Sequence, residues 1–395
     1  MSEGSNRPGF TRLAVEGYRR LRAVDIPLRP INVLIGANGV GKTSILDVLH
    51  LLSRAADGKL QATISELGGM TSILTADGKT NDLVFHVETS RVSDENNEQS
   101  IYYSTTLRWE RLGYIIAHEK LRQNIRNGII VKDYKVFDFS HPHTGVSLGE
   151  GLFSTTNLYN VYETALSQGR PSSNSPDAQC RQKFIGISSV YHSLDVSPRS
   201  SVRTPQTLSP AKTPGLHGED LVSCLYTIRE TEKERFEAIE NALRVAFPTF
   251  ESLTFPAVAA GRITLAWRDR NFSRPFDIGE LSEGTLRFLW LTTLLQSPGL
   301  PEITLIDEPE VSLHPEMLQI LTELMREASS RTQLFVATHS DRFISFLRPE
   351  EVLVCDYDDT GGMTAKWADN LDLKDWLDDY TLDQLWGKGI LGGRS

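Results

Sequence analysis

INVLIGANGVGKTSILDVLHLL, residues 31–52, is the stretch that decides the fold. INVLI is a mostly apolar run that predicts a buried strand. From Thr43 to about Ala56, Ile45, Leu46, Leu49 and Leu52 recur at helical spacing, and Asp57-Gly58 supplies a stop. Between them lies GANGVGKT, 36–43, which fits G-x-x-x-x-G-K-[ST] in the strand–loop–helix setting that the pattern needs. Gly36, Gly39 and Gly41 let successive backbone N–H groups curl around phosphate oxygens. Lys42 is expected to reach the β- and γ-phosphates of a nucleotide, and Thr43 to put its hydroxyl on Mg²⁺. Asn38, Gly39, Gly41, Lys42, Thr43 and Ser44 are the expected nucleotide contacts of this loop.

Working outward, LAVEGY (13–18) and VDIPL (24–28) alternate as a short β-meander would. DLVFHVET (82–89) and IYYSTTLRW (101–109) predict an antiparallel lobe beside the first helix. From residue 302 strands and helices alternate: EITLID, PEMLQILTELMREASS, QLFVATH, DRFISFL and EVLVCDY. That order argues for a parallel sheet and an α/β fold. The middle is harder to read. Residues 171–215 are rich in Ser, Pro and Thr and predict an exposed loop, while 220–247 carry a helical pattern. The expected division is 1–110, an N-terminal lobe; 111–275, a helical insertion with that loop; and 276–395, a C-terminal lobe.

Three further motifs carry chemistry. ITLIDEPEVSLHP (303–315) ends an apolar strand in two acids, where a parallel sheet presents its ligand site. Asp307 suits a Mg²⁺ shell and Glu308 suits the orientation of an attacking water. FVATHS (335–340) puts His339 at the end of the next strand, within reach of a γ-phosphate. LSEGTLRFL (281–289) starts a helix with Ser282 and Gly284, and a helix start favours an anion.

Taken in order, GANGVGKTS, LSEGTLRFL, LIDEPEVSLHP and ATHS resemble the Walker A, signature, Walker B/D-loop and switch-histidine motifs of ABC-type ATPases. The likeness is to the RecF, SMC and OLD-like branch, often grouped as AAA-family ATPases. VEGYRRLRAVDIPLRPINVLIGANGVGKTSIL (15–46), PGLHGEDLVSCLYTIRE (214–230) and YTLDQLWGKGILGG (380–393) are also similar to that branch. The resemblance implies an ATPase head with a mixed central sheet, an antiparallel β lobe and a helical insertion. It implies ATP and Mg²⁺, and a homodimer or higher homo-oligomer in which two heads sandwich two nucleotides. Ser282 and Gly284 would then face the nucleotide held by the partner. Glu283 departs from the LSGGQ of transporters, and Thr285 stands where Gln would be. Tyr18 is expected near the adenine and Arg19 near the phosphates. Gln61 and Gln123 are both open as the glutamine of the Q-loop. The implied context is prokaryotic anti-phage defence, with the ATPase governing a separate effector, a nuclease or toxin.

Composition narrows the classes. Hydrophobic content of 39% and charged content of 23% are ordinary for a globular chain, and no apolar run is long enough for a bilayer. MSEGSNRPGF lacks a signal-peptide core, and Cys180, Cys224 and Cys355 form no framework, so a cytoplasmic location is expected. The net charge of −10 argues against a surface that coats nucleic acid throughout. A local DNA-binding stripe is the alternative, a RecF-like role in recombination or repair, and residues 108–126 carry five basic residues against two acidic ones. Asp356 and Asp358 imitate the Asp-x-Asp of a TOPRIM nuclease. They read instead as a strand end of the ATPase sheet, and any cutting of nucleic acid falls to another polypeptide.

Overall fold

A computed structural model describes residues 9–94, 97–111, 113–127, 130–140, 160, 162–168, 176–259, 261–371 and 380–392. The strand Ile31–Gly36 is buried along its whole length and alternates its side chains between two cores. Ile31, Val33 and Ile35 join one cluster and Leu34 the other. Leu334 and Val336 follow the first set, Phe335 and Ala337 the second, as the period of two requires. Asn32, the polar break in the strand, is 0% exposed and satisfied, its amide donating to the carbonyls of Arg29 and Leu334.

These strands sit in a six-stranded mixed sheet ordered Met363–Trp367, Val352–Tyr357, Ile31–Gly36, Gln333–Ala337, Ile303–Asp307 and Ile187–Tyr191. The pairings are parallel except that of Met363–Trp367 with Val352–Tyr357. The register aligns the carboxyl ends, with Ala337 opposite both Asp307 and Leu34, and Cys355 opposite Gly36. One face of this sheet is covered by helices that include Leu221–Thr231, Glu283–Gln296 and Pro315–Ala328. The other face carries the helix Lys42–Ala56 and, beyond it, a six-stranded antiparallel sheet. Sandwiched there, Lys42–Ala56 also buries Val48 and Leu51, outside the stripe that the sequence picks out. Each such apolar side chain contributes about 1.5–3 kcal/mol. Gln333 ties the two sheets together: its amide donates to the Phe10 carbonyl and its Oε1 accepts the Phe10 N–H.

The middle of the chain differs from expectation in two places. Residues Gly113–Asn127 and Ile130–Ser140 are not the start of a helical insertion, because they extend the antiparallel sheet beyond Asn97–Glu110. Two core-facing positions in this region, Glu119 and Gln123, are polar and hide the two-residue period. Glu119 accepts the Tyr103 hydroxyl and the N–H groups of Ala165 and Leu166, and burial pushes its carboxyl up to about 7. Within 171–215, the described part from residue 176 is not an exposed loop throughout. Pro176–Ile185 is helical and Ile187–Tyr191 is a strand of the central sheet. Ser188, which reads as a loop residue, accepts the Leu305 N–H through its hydroxyl. The helical pattern expected at 220–247 is present as two helices, Leu221–Thr231 and Lys233–Ala246, separated at Glu232.

Candidate nucleotide-binding site

The aligned strand ends build the site. Gly36 closes the P-loop strand at φ 151°, and a Cβ there would lie 2.3 Å from the Cys355 carbonyl oxygen. Gly39 and Gly41 follow at φ 76° and 124°, a backbone that other residues rarely adopt. Asn38 and Gly39 are exposed at the loop's tip, Thr43 is exposed at the helix start, and Ser44 is buried behind it. Lys42 is 3% exposed. Its ammonium donates to the carbonyls of Gly36 at 2.6 Å and Ala37 at 2.9 Å, and lies 3.2 Å from His339 Nδ1. Burial pushes that ammonium down to about 8. Burial and the adjacent Lys42 also hold the His339 imidazole below its ordinary value. A neutral ring accepting from the ammonium fits both shifts.

Asp307 and Glu308 leave the next strand but one. The Asp307 side chain is 17% exposed, and the Glu308 N–H still pairs with the Ala337 carbonyl. Among the described residues other than glycine, positive φ occurs at Arg19 (46°), Glu308 (51°) and Ser312 (63°). Two of the three lie in the loop that follows Asp307. Such strain persists where surrounding structure enforces it, commonly at functional sites. Thr43 and Asp307 offer oxygen donors of the kind Mg²⁺ takes when most of its shell comes from phosphate and water.

Sequence reasoning missed one residue. His192 follows the edge strand Ile187–Tyr191, and its Nδ1 lies 3.3 Å from Asp307 Oδ2, which raises the imidazole above its ordinary value. The serine-rich setting concealed that strand, and with it the histidine at its end. Of the two glutamines left open, Gln61 is exposed on the helix Leu60–Glu66 and Gln123 is buried in the antiparallel sheet. Tyr18 is 0% exposed and packs in the core, so it presents no face to an adenine here. Arg19 turns back to Asp47 on the P-loop helix, at 2.5 Å.

The signature segment is built differently. Ser282 caps the helix Glu283–Gln296, its hydroxyl accepting the Thr285 N–H at 3.1 Å and pairing with the Thr285 hydroxyl at 2.7 Å. Glu283 accepts from the Ser312 hydroxyl at 2.7 Å and from Arg287 at 3.1 Å. A Cβ on Gly284 would come within 2.7 Å of the Ser312 carbonyl oxygen. The glycine therefore answers to the loop after Asp307 in its own chain. Asp356 belongs to the strand beside the P-loop strand, and Asp358 accepts from Thr360 and Gly362 in the following turn.

Comparison with known proteins agrees with this layout. Residues 10–142 match the model described as an AAA ATPase domain. Residues 179–345 match the one described as an AAA domain, putative AbiEii toxin, Type IV TA system. A solved SMC head bound to the C-terminal winged-helix domain of ScpA superposes with a TM-score of 0.55 and 13% identity, covering 90% of this chain and 97% of that one. The chain shares the fold of SMC ATPase head domains. The chain is also similar to the SMC head derived from Pyrococcus furiosus, with a TM-score of 0.51, 12% identity, and 91% and 96% of the two chains covered. A short segment is 54% identical over 45 residues to the DNA replication and repair protein RecF of Acinetobacter baylyi, covering 11% of this chain. A short match to RecF of Vibrio vulnificus is 43% identical over 55 residues, covering 14% of this chain. The chain spans only 13% and 15% of the length of these curated relatives. Among the described residues, no helix is long and apolar enough to cross a membrane.

Proposed function

We propose that this ATPase head binds ATP and hydrolyses it, and that its working unit is a dimer or higher oligomer closed by nucleotide. The observation that carries the reading is the convergence of Lys42, Asp307, Glu308 and His339 on the carboxyl edge of one sheet. Thr43 and Asp307 would hold Mg²⁺, which would supply charge compensation on the phosphates. Lys42 leaves the carbonyls of Gly36 and Ala37 for the phosphate oxygens, whose charge restores its full protonation. Glu308 accepts a hydrogen bond from water and orients it for in-line attack, and His339 contacts the γ-phosphate once Lys42 has moved. Ser282 and the first N–H groups of its helix receive the nucleotide of a partner head.

Closure of the dimer is the output, and it governs a separately encoded effector, a nuclease or toxin, in prokaryotic anti-phage defence. The toxin–antitoxin description of the family matched by residues 179–345 supports that context. A RecF-like role on DNA is the second reading, favoured by the short RecF similarities and by one surface. His118, Lys120, Arg122 and Asn124 lie on the outward side of the strand Gly113–Asn127, opposite the core-facing Glu119, Leu121 and Gln123. DNA-stimulated turnover that falls steeply with salt would select it.

The direct test compares the wild-type protein with Glu308→Gln in turnover and in light scattering. The wild type is expected to turn over ATP, and Glu308→Gln to accumulate as an ATP-bound dimer. A Glu308→Gln protein that binds ATP and stays monomeric at high concentration would remove the sandwich.

A further inference from the structure

Glu310 stands three residues after Asp307, inside the loop whose backbone is left-handed at Glu308 and Ser312. Its Oε1 accepts the Thr338 hydroxyl at 2.6 Å and the His339 backbone N–H at 3.2 Å. The Thr338 hydroxyl oxygen in turn accepts the Ser340 N–H at 3.1 Å. One carboxylate oxygen thus fixes the turn on which His339 is mounted. The other oxygen, Oε2, is buried without a hydrogen-bond partner. An unpartnered buried carboxylate oxygen is costly, and a loop that retains one has a use for the group.

The need lies in His339 itself. Its side chain is exposed, and its ring contact is Lys42, a group that must move when phosphate enters. Once Lys42 leaves, the ring's direction depends on the backbone beneath it. That backbone is anchored by the strand pairing up to Thr338, whose N–H meets the Leu34 carbonyl, and by Glu310 beyond it. Glu310 is itself confined, since the Leu313 N–H returns to its carbonyl at 3.1 Å.

We infer that Glu310 is a positioning residue that holds the Thr338–His339 turn, so that His339 stays aimed at the position Lys42 vacates. The inference rests on the hydrolytic reading of the site. Small displacements of an aligned group cost rate steeply, about 100-fold for ~1 Å.

The experiment uses the full chain with Glu310→Ala, Glu310→Gln, His339→Ala and the double variant Glu310→Ala/His339→Ala. Glu310→Ala is expected to lower kcat by about 10- to 100-fold while the Kd for ATP stays within about twofold. Glu310→Gln keeps a carbonyl oxygen as acceptor and is expected to recover most of kcat. The double variant is expected to be no slower than His339→Ala alone, because Glu310 works through that residue. An unchanged kcat in Glu310→Ala, or a double variant slowed by the product of the two single effects, overturns the inference. Histidine ¹H–¹⁵N spectra give a readout independent of turnover. In Glu310→Ala the His339 ring signals are expected to move, and in Glu310→Gln to stay; an unmoved ring in Glu310→Ala overturns the positioning role. A wild-type protein that binds ATP without hydrolysing it removes the hydrolytic reading alone, and those spectra still decide the role of Glu310.

Discussion

The P-loop and the signature segment are both glycine-bearing starts of long helices, and they are assembled on opposite principles. Around Lys42–Ala56 the site is drawn from several parallel strands and is already internally bonded, with Lys42 on two carbonyls and beside His339. At Glu283–Gln296 the hydrogen bonds of Ser282 and Glu283 go to Thr285, Arg287 and Ser312. Those contacts come from the same helix and the D-loop, and none supplies a phosphate-binding lysine or a water-orienting acid. On the proposed reading, the first region must open its own contacts to take phosphate. On the same reading, the second receives an anion that another molecule brings.

The contrast breaks hardest at Lys42 and Ser282. Lys42→Ala and Ser282→Arg are each expected to reduce ATP turnover by about 1,000-fold, the scale of losing a principal charge-stabilising group. They should part on binding. Lys42→Ala weakens nucleotide affinity, whereas Ser282→Arg leaves monomer affinity within about threefold and abolishes ATP-dependent dimerisation. Titration calorimetry and light scattering on the two proteins check this. If Ser282→Arg lost affinity as Lys42→Ala does, the signature would belong to its own chain's nucleotide.

The glycines sharpen the contrast on a smaller scale. Gly39 has open space, with Tyr357 Oη 3.8 Å from a Cβ, and needs glycine for its φ of 76°. Gly284 has no positive φ and needs glycine because the Ser312 oxygen would be 2.7 Å from a Cβ. Helix propensity alone makes Gly→Ala favourable by about 1 kcal/mol. Overpacking against backbone costs about 1–3 kcal/mol. Gly284→Ala is therefore expected to lower the Tm, with weakened dimerisation as the D-loop shifts. A raised Tm would show that the D-loop yields freely.

Legibility followed the same division. The P-loop, Asp307-Glu308 and His339 could be read because buried parallel strands are apolar runs that end abruptly in polar residues. The edge strand Ile187–Tyr191 could not, since Ser188 and Ser189 occupy it and Ser188 serves as a hydrogen-bond acceptor. His192 went unseen with it. The strand Gly113–Asn127 was hidden by the inward Glu119 and Gln123, and the Ala165 and Leu166 N–H groups that Glu119 accepts from lie far away in sequence. Tyr18 misled for the opposite reason. An aromatic before an arginine is ambiguous between a base contact and a core residue, and packing against the P-loop helix decided it.

The remaining contrast between the regions is in their response to pH. Burial holds Lys42 at about 8 against an ordinary 10.5, so between those values the unfolded chain binds the extra proton and the folded one does not. Stability linked to Lys42 is lowest below pH 8 and rises as pH climbs toward 10.5. Nucleotide affinity runs the other way over the same window. The phosphates want the ammonium charged, so binding takes up a proton and the apparent Kd rises by up to about tenfold per pH unit. The signature stays indifferent there, because its nearest carboxylate, Glu283, is held below its ordinary 4.5 by the Ser312 hydroxyl and by Arg287. Calorimetry of ATP binding to Ser282→Arg in buffers of differing ionisation enthalpy isolates the first region and should show proton uptake above pH 8. Melting curves of the nucleotide-free protein should show the opposing gain in stability. Affinity that stayed flat across that window would mean that Lys42 remains charged before phosphate arrives, held so by the Gly36 and Ala37 carbonyls.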